Sequence, residues 1–372
     1  MVAKTLSNEQ LTNEIAIVLG TRPGIVKFAP IIRELETRAL SYFLIHTGQH
    51  YSYNMDAIFF KELDLPMPTY INPLTKLHPY HGSQTAEMLR FTEAILIDRK
   101  PSTVIVGGDA NTNLAGALAA RKLGLTLCHL EAGLRSKDWR MPEEHNRVVI
   151  DHISDILLAP TEHAAANLAR ENVTGKVYIV GNTIVDAVQQ NVQLTPPPNS
   201  YFQSRTLPAR YCLLTIHREE VVDNIFALQR LITNVRNFAL QLDIEVIFPV
   251  HPRTLQPIYK MVMGHKWVWA VDPLGYLDFI KLLNGARFVM TDSGGVQEEA
   301  CILKVPCLTL RNNTERPETV EVGANLLVNE DGSGLTHQDT VLHISKARDW
   351  ENPFGDGTSA CKICDILKEN AI

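Results

Sequence analysis

No run of apolar residues in this 372-residue chain approaches the length of a membrane span, and the polar stretch Met1 to Glu14 lacks the apolar core of a signal peptide. The expected compartment is the cytoplasm, with no membrane among the partners. An excess of positive charge is missing too: 35 Lys and Arg stand against 41 Asp and Glu, a formal net charge of -6. Such a balance supplies no global field for nucleic acid, so a polyanionic ligand must be held locally. Cysteine is sparse, and Cys128, Cys212, Cys301, Cys307, Cys361 and Cys364 are scattered through apolar segments, a pattern of buried thiols rather than a disulfide framework. Cys361-Lys362-Ile363-Cys364 has no second pair to complete a zinc site and opens no thioredoxin-like unit, so a buried helix face is expected there. Gly-rich nucleotide fingerprints are absent as well. Neither G-x-G-x-x-G after the first strand nor a P-loop with its G-K-[ST] occurs, which removes support for hydride transfer from NAD and for ATP hydrolysis. No cofactor and no metal is called for.

What the chain does have is a repeated alternation of strand and helix. Ile15-Ala16-Ile17-Val18-Leu19 reads as a buried parallel strand, and Gly20-Thr21-Arg22-Pro23 leads into a helical pattern through Phe28, Ile31, Ile32 and Leu35, with Pro23 suited to its first turn. Strands are expected at Tyr42 to His46, Thr103 to Val106, Thr126 to Leu130, Ile156 to Ala159 and Lys176 to Val180. After the proline-rich stretch Gln189 to Arg205 they resume at Tyr211 to Ile216, Glu245 to Val250, Trp267 to Val271, Phe288 to Thr291 and Cys307 to Leu310. The expected fold class is α/β: two Rossmann-like, doubly wound parallel-sheet domains facing across a cleft. Their expected bounds are residues 1–185 and 186–350.

Polar residues cluster where strands end. Arg22 and Lys27 follow the first strand, Asp109 the third and Glu131 the fourth, with Glu143, Glu144 and Arg147 in the loop-to-helix stretch beyond. Several carboxylates on one sheet edge raise one another's pKa, which lets an acid and a base coexist near neutrality. Read singly, Asp109 and Glu143 are helix caps and Glu131 pairs with Arg135 at i,i+4; read together, they are a site. In the second half one strand delivers His217-Arg218-Glu219-Glu220 and the next His251-Pro252-Arg253. The stretch Met290-Thr291-Asp292-Ser293-Gly294-Gly295-Val296-Gln297-Glu298-Glu299 is a strand, a tight turn and a helix N-terminus, where backbone N–H groups and the helix dipole suit a phosphate. The bland alternative is an ordinary turn capped by Ser293.

These residues resemble the non-hydrolysing UDP-N-acetylglucosamine 2-epimerases, which adopt the fold of GT-B glycosyltransferases. The likeness runs from Ile15 onward and rests on Gly20-Thr21-Arg22-Pro23, His46-Thr47-Gly48-Gln49-His50, Gly108-Asp109, Glu131-Ala132-Gly133-Leu134-Arg135 and Pro142-Glu143-Glu144 with Asn146-Arg147. It continues through Gly181-Asn182-Thr183, His217-Arg218-Glu219, Thr291 to Glu299, Thr314-Glu315-Arg316-Pro317-Glu318 and Asn352-Pro353-Phe354-Gly355-Asp356-Gly357. The resemblance implies elimination of UDP from C1 to give a 2-acetamidoglucal, then re-addition after reprotonation on the other face. It makes Asp109, Glu131 and Glu143 the acid/base carboxylates and His217 the group beside the departing phosphate. Arg22, Lys27, Arg135, Arg147, Arg218 and His251 would hold sugar or phosphate, Ser293, Gly294 and Gly295 the pyrophosphate, Glu299 the ribose, and Arg316 would join the cluster across the cleft. It also implies a homodimer, a role in cell-surface polysaccharide biosynthesis, and a terminal helix in residues 351–372 crossing back to the first domain. Three stretches depart from forms common in the family: Gly24 replaces a glutamate, Gly107-Gly108-Asp109-Ala110 replaces a His- or Gln-Gly-Asp-Thr, and His46 to Asp56 differs from the Gln-His-Arg form of allosterically regulated bacterial members. A hydrolysing 2-epimerase, a 2-epimerase for a UDP-diacetamido-uronic acid, a GT-B glycosyltransferase and a non-catalytic nucleotide-sugar binder are the alternatives.

Overall fold

Strand β1 (Thr12–Leu19) is buried along its inner half, as a run of Ile, Ala and Val with helices on both faces must be. It is the hub of a seven-stranded sheet with β2 (Tyr42–His46), β3 (Tyr70–Ile71), β4 (Pro101–Gly107), β5 (Thr126–Leu130), β6 (Ile156–Ala159) and β7 (Lys176–Ile179). The order is β3-β2-β1-β4-β5-β6-β7 and every pairing is parallel, with Ile17 facing Leu44 on one side and Ile105 on the other. A second, six-stranded parallel sheet holds β8 (Tyr211–Thr215), β9 (Glu245–Pro249), β10 (Val268–Val271), β11 (Val289–Thr291), β12 (Cys307–Thr309) and β13 (Asn325–Leu327) in the order β10-β9-β8-β11-β12-β13. In each sheet the chain winds first to one side and then to the other, so the strand order reverses between β1 and β4 and again between β8 and β11.

This is a computed structural model, and it describes residues 5–7, 11–49, 53–192, 207–250, 258 and 267–370. His251 and most of the proline-rich stretch lie outside the described residues. The expected strands are all present. Two edge strands, β3 and β13, were not expected, because two or three residues are too few to show an alternation.

The chain divides into two compact units, Met1–Ala187 with Phe354–Ile372, and Val188–Pro353. The terminal helix Ser359–Asn370 packs on the helix Arg22–Thr37, burying Ile363, Cys364 and Leu367. Asp186 accepts from the backbone N–H of Ala360 at 3.0 Å, and Asn182 donates its N–H to the Phe354 carbonyl at 2.8 Å. The expectation of a buried C-x-x-C face needs correction. Cys364 is buried, but Cys361 is exposed, three residues earlier at the rim of the helix, where its Sγ accepts from Arg38 at 2.9 Å. Among the described residues no helix is long and apolar enough to cross a membrane.

Candidate functional site

Ligands of doubly wound sheets gather at the carboxyl ends of the strands where the order reverses. In the first unit the turn after β1 makes Thr21 the cap of the helix Arg22–Thr37, its hydroxyl accepting from Gly24 N–H at 3.3 Å. Arg22 opens that helix with its guanidinium 5.6 Å from the Phe59 ring centre. Lys27 lies farther along, and its ammonium meets Glu131 Oε2 at 2.6 Å. Glu131 follows β5 with φ at +66°, an unusual conformation for a side-chain-bearing residue, and its other oxygen accepts from Asn182 at 3.4 Å.

Gly107-Gly108-Asp109 leave β4 beside it. The Asp109 carboxylate pairs with the Arg147 guanidinium, and its carbonyl accepts from Asn146 Nδ2 at 2.8 Å. Arg147 also binds Glu144 at 2.7 Å, one turn back on the helix Pro142–Ile153. Burial pushes the Glu144 carboxyl up, but bonds from Ser136 N–H, Arg147 and Lys137 N–H outweigh it and hold it below the usual range. The Glu143 side chain, partly exposed, makes no hydrogen bond or ion pair among the described residues.

The cap readings do not hold: Ala110 and Met141 occupy the two cap positions, and neither Asp109 nor Glu143 does. Mutual repulsion among the carboxylates is not the arrangement either, since Asp109 and Glu131 are each matched to a cation. Nor does Arg135 pair with Glu131. It is buried, bound to Asp151 at 2.7 Å, Glu171 at 2.6 Å and the Leu134 carbonyl at 2.7 Å, a placement that ties the unit together and does not support its expected contact with substrate.

In the second unit the ends of β8 and β11 meet. Asp292, buried, takes the backbone N–H groups of His217 and Arg218 at 2.9 Å each on Oδ2, and its Oδ1 lies 2.7 Å from His217 Nδ1. The ring is thereby held through Nδ1, and His217 stays half exposed. Burial lowers its proton affinity, yet the bond to Asp292 and its charge prevail and the pKa is raised. Ser293 stands at the cap of the helix Gly294–Ile302 but makes no side-chain capping bond, and the first turn carries no acidic residue. Ser293 thus takes the cap position that an ordinary strand-to-helix turn calls for, without the side-chain bond.

The two glycines differ. A Cβ on Gly294 would sit 2.5 Å from Glu315 Oε1, whereas one on Gly295 would meet nothing closer than Ser293 Oγ at 3.9 Å. A side chain at Gly294 would have to displace the end of the buried Glu315 side chain, whereas at Gly295 the space is open. Glu315 in turn lies 2.8 Å from Arg311, which burial and the like charge of Arg218 hold below its usual range against the pull of Glu315. Glu299 is buried beside Tyr276, whose phenol is pushed well up by burial and then by the Glu299 charge. Arg316 is buried against Glu298 and the Glu315 carbonyl.

Asn146, Asn182 and Asp292, which the sequence shows only as members of motifs with no role of their own, and Arg311, which it does not mark, are thus part of these clusters. For Asp292 a signal existed: a carboxylate at the end of the strand expected to neighbour the His217 strand.

The family model for UDP-N-acetylglucosamine 2-epimerase matches residues 33–368. The chain is 48% identical over 363 residues to a UDP-N-acetylglucosamine 2-epimerase of Methanocaldococcus jannaschii, covering 95% of this chain and 98% of the relative. It is 36% identical over 358 residues to a UDP-2,3-diacetamido-2,3-dideoxy-D-glucuronate 2-epimerase of Pseudomonas aeruginosa, covering 95% and 99%. The crystal structure of Methanocaldococcus jannaschii UDP-GlcNAc 2-epimerase in complex with UDP-GlcNAc and UDP superposes with a TM-score of 0.88 at 47% identity, covering 96% of this chain and 99% of that one.

Proposed function

Because this chain belongs to the UDP-N-acetylglucosamine 2-epimerase family, we propose that it interconverts UDP-GlcNAc and UDP-ManNAc by eliminating UDP and adding it back. The observation that carries the mechanism is the pairing of Asp109 with Arg147 and of Glu131 with Lys27 at the strand ends of the first sheet. The proton at sugar C2 is not acidic, so its removal must accompany departure of the group at C1. The C1–O bond breaks, UDP leaves with the electron pair, the C2 proton passes to a carboxylate, and a C1–C2 double bond forms. Return of a proton to the opposite face and re-addition of UDP complete the exchange. Two or more carboxylates serve as acid and base, drawn from Asp109, Glu131 and Glu143, with Arg22, Lys27 and Arg147 holding charge on the substrate.

The leaving group is held by the second unit's residues. The N–H groups of Ser293, Gly294 and Gly295 supply donors at a helix N-terminus, and His217, oriented by Asp292, stabilises charge on the departing phosphate. Arg218 and the buried Arg311 add positive charge there, and Glu299 accepts from the ribose. The family resemblance extends the proposal to a cytoplasmic homodimer that supplies a nucleotide sugar for cell-surface polysaccharide; sedimentation velocity at monomer mass would overturn the dimer.

Incubation with UDP-GlcNAc in D2O tests the reading. Deuterium at C2 in both epimers, without accumulation of free UDP, is expected. Neither exchange nor a manno product would refute it, and UDP released stoichiometrically with free ManNAc would select hydrolysis. Similarity to the diacetamido-uronate enzyme favours one further substrate, and turnover of that nucleotide sugar in place of UDP-GlcNAc would assign it.

A further inference from the structure

The buried residues His129, Asp151 and Arg135 take no part in the chemistry above, and their arrangement is costly. Three ionisable groups are withdrawn from water where apolar side chains of similar volume would serve stability as well or better. Their connections show what they hold. Asp151, on the helix Pro142–Ile153, is fully buried and divides its oxygens among three groups. Oδ1 lies 2.6 Å from His129 Nδ1, while Oδ2 accepts the Gly133 N–H at 3.1 Å and lies 2.7 Å from Arg135. His129 stands two residues before Glu131, and Gly133 two residues after it. One carboxylate therefore pins both ends of the turn that carries Glu131, a turn with left-handed backbone at Glu131 and again at Gly133, φ +66° and +83°.

The other edge of the imidazole reaches a different strand end. His129 Nε2 is 3.1 Å from the carbonyl oxygen of Gly108, the residue before Asp109. Gly108 in turn donates its N–H to the Leu130 carbonyl at 3.0 Å, and a Cβ on Gly108 would lie 3.2 Å from Glu131 Oε2. The Glu131 carboxylate thus rests against the backbone that carries Asp109, and a shift of one is felt by the other. We infer that His129, locked by Asp151, is a positioning residue that sets the spacing of Asp109 and Glu131 by gripping the Gly108 carbonyl. The inference rests on the proposed function in assigning proton transfer to Asp109 and Glu131.

Two substitutions separate positioning from bulk stability, because each keeps one end of the ring's connection. His129→Gln retains an amide donor in reach of the Gly108 carbonyl; His129→Asn retains one toward Asp151 and loses Gly108. Misplacement of reacting groups by about 1 Å costs on the order of 10²-fold in rate. The Asn variant is expected to lose turnover of UDP-GlcNAc by about that factor with KM changed only a few-fold, and C2 exchange in D2O should slow in parallel. The Gln variant is expected to keep roughly ten times more turnover at a similar denaturation midpoint.

Wild-type turnover in the Asn variant, or equal losses in both that follow their stabilities, would overturn the inference. The wild-type protein decides the matter independently of folding in the variants. Its crystal structure should keep the contact of His129 Nε2 with the Gly108 carbonyl, and a ring turned away from Gly108 refutes the clamp. A wild-type protein that neither exchanges C2 hydrogen nor forms the manno epimer refutes the proposed function instead, while the contact of His129 with Gly108 still decides the clamp.

Discussion

Glu131 meets a cation at 2.6 Å while its own backbone is held in a left-handed conformation. Glu131→Gln removes the charge without the volume, and on the proposed mechanism kcat should fall by about 10²- to 10⁴-fold with UDP affinity retained. Unchanged turnover of UDP-GlcNAc would remove Glu131 from the acid/base set. At His217 the prediction concerns pH. Its pKa is raised, so its attraction to Asp292 and to a phosphate is fully present below the ordinary histidine value and is lost as pH rises through the raised one. UDP affinity measured by calorimetry should therefore decline toward alkaline pH, and in Asp292→Asn the decline should move to lower pH. A midpoint indifferent to that substitution would show that Asp292 does not control the ring. On the acid side the sign is opposite. Burial pushes Glu144, Asp151 and Asp292 up, but their hydrogen-bonded and cationic partners prevail and hold each below its usual range. The stability they contribute is present above the ordinary carboxylate range and lost as pH falls through the depressed values. Most of these residues were legible in the sequence as polar positions at strand ends. Asp151 was not, because it lies in mid-helix and its role exists only through His129 and Gly133.

The helix Gly294–Ile302 and the turn before it separate packing from ligand contact, since its two glycines are there for different reasons. Gly295→Ala places a methyl in open space on a helix, so folding stability should be unchanged or rise by up to about 1 kcal/mol, while UDP affinity falls about tenfold. Gly294→Ala drives a methyl onto the Glu315 carboxylate and should lower both. Thermal melts with and without UDP distinguish them, and a Gly295→Ala variant that binds UDP normally would place the phosphate elsewhere. Gly133→Ala should be the severest of the three. Its Cβ would lie 2.2 Å from the Ala164 carbonyl at a φ of +83°, so a loss of about 2 kcal/mol or more is expected in chemical denaturation. The long apolar elements were legible because burial on both faces of a parallel sheet demands an unbroken apolar run. The short edge strands β3 and β13 were not, since they depend on a neighbour's backbone rather than on a pattern of their own.

At the scale of the whole molecule, the segment from Phe354 onward belongs with the first unit although it follows the second in the chain. Truncation after Pro353 should expose the apolar surface covered by Ile363 and Leu367, each worth about 1.5–3 kcal/mol of burial, and should lower the melting of the first unit alone. A truncated chain with both units melting as before would refute that dependence. By itself the sequence determined two α/β halves, parallel sheets, the strand ends that carry polar chemistry and the family, because those follow from local periodicity and from motifs contiguous in the chain. Only the tertiary structure decided which charge meets which. The pairing of Glu131 with Lys27, the diversion of Arg135 to Asp151 and Glu171, and the Asp292 support of His217 join residues from 16 to 104 positions apart. Such partners are brought together by strand order and crossover, and ion pairing leaves no periodic trace in a single chain from which they might be read.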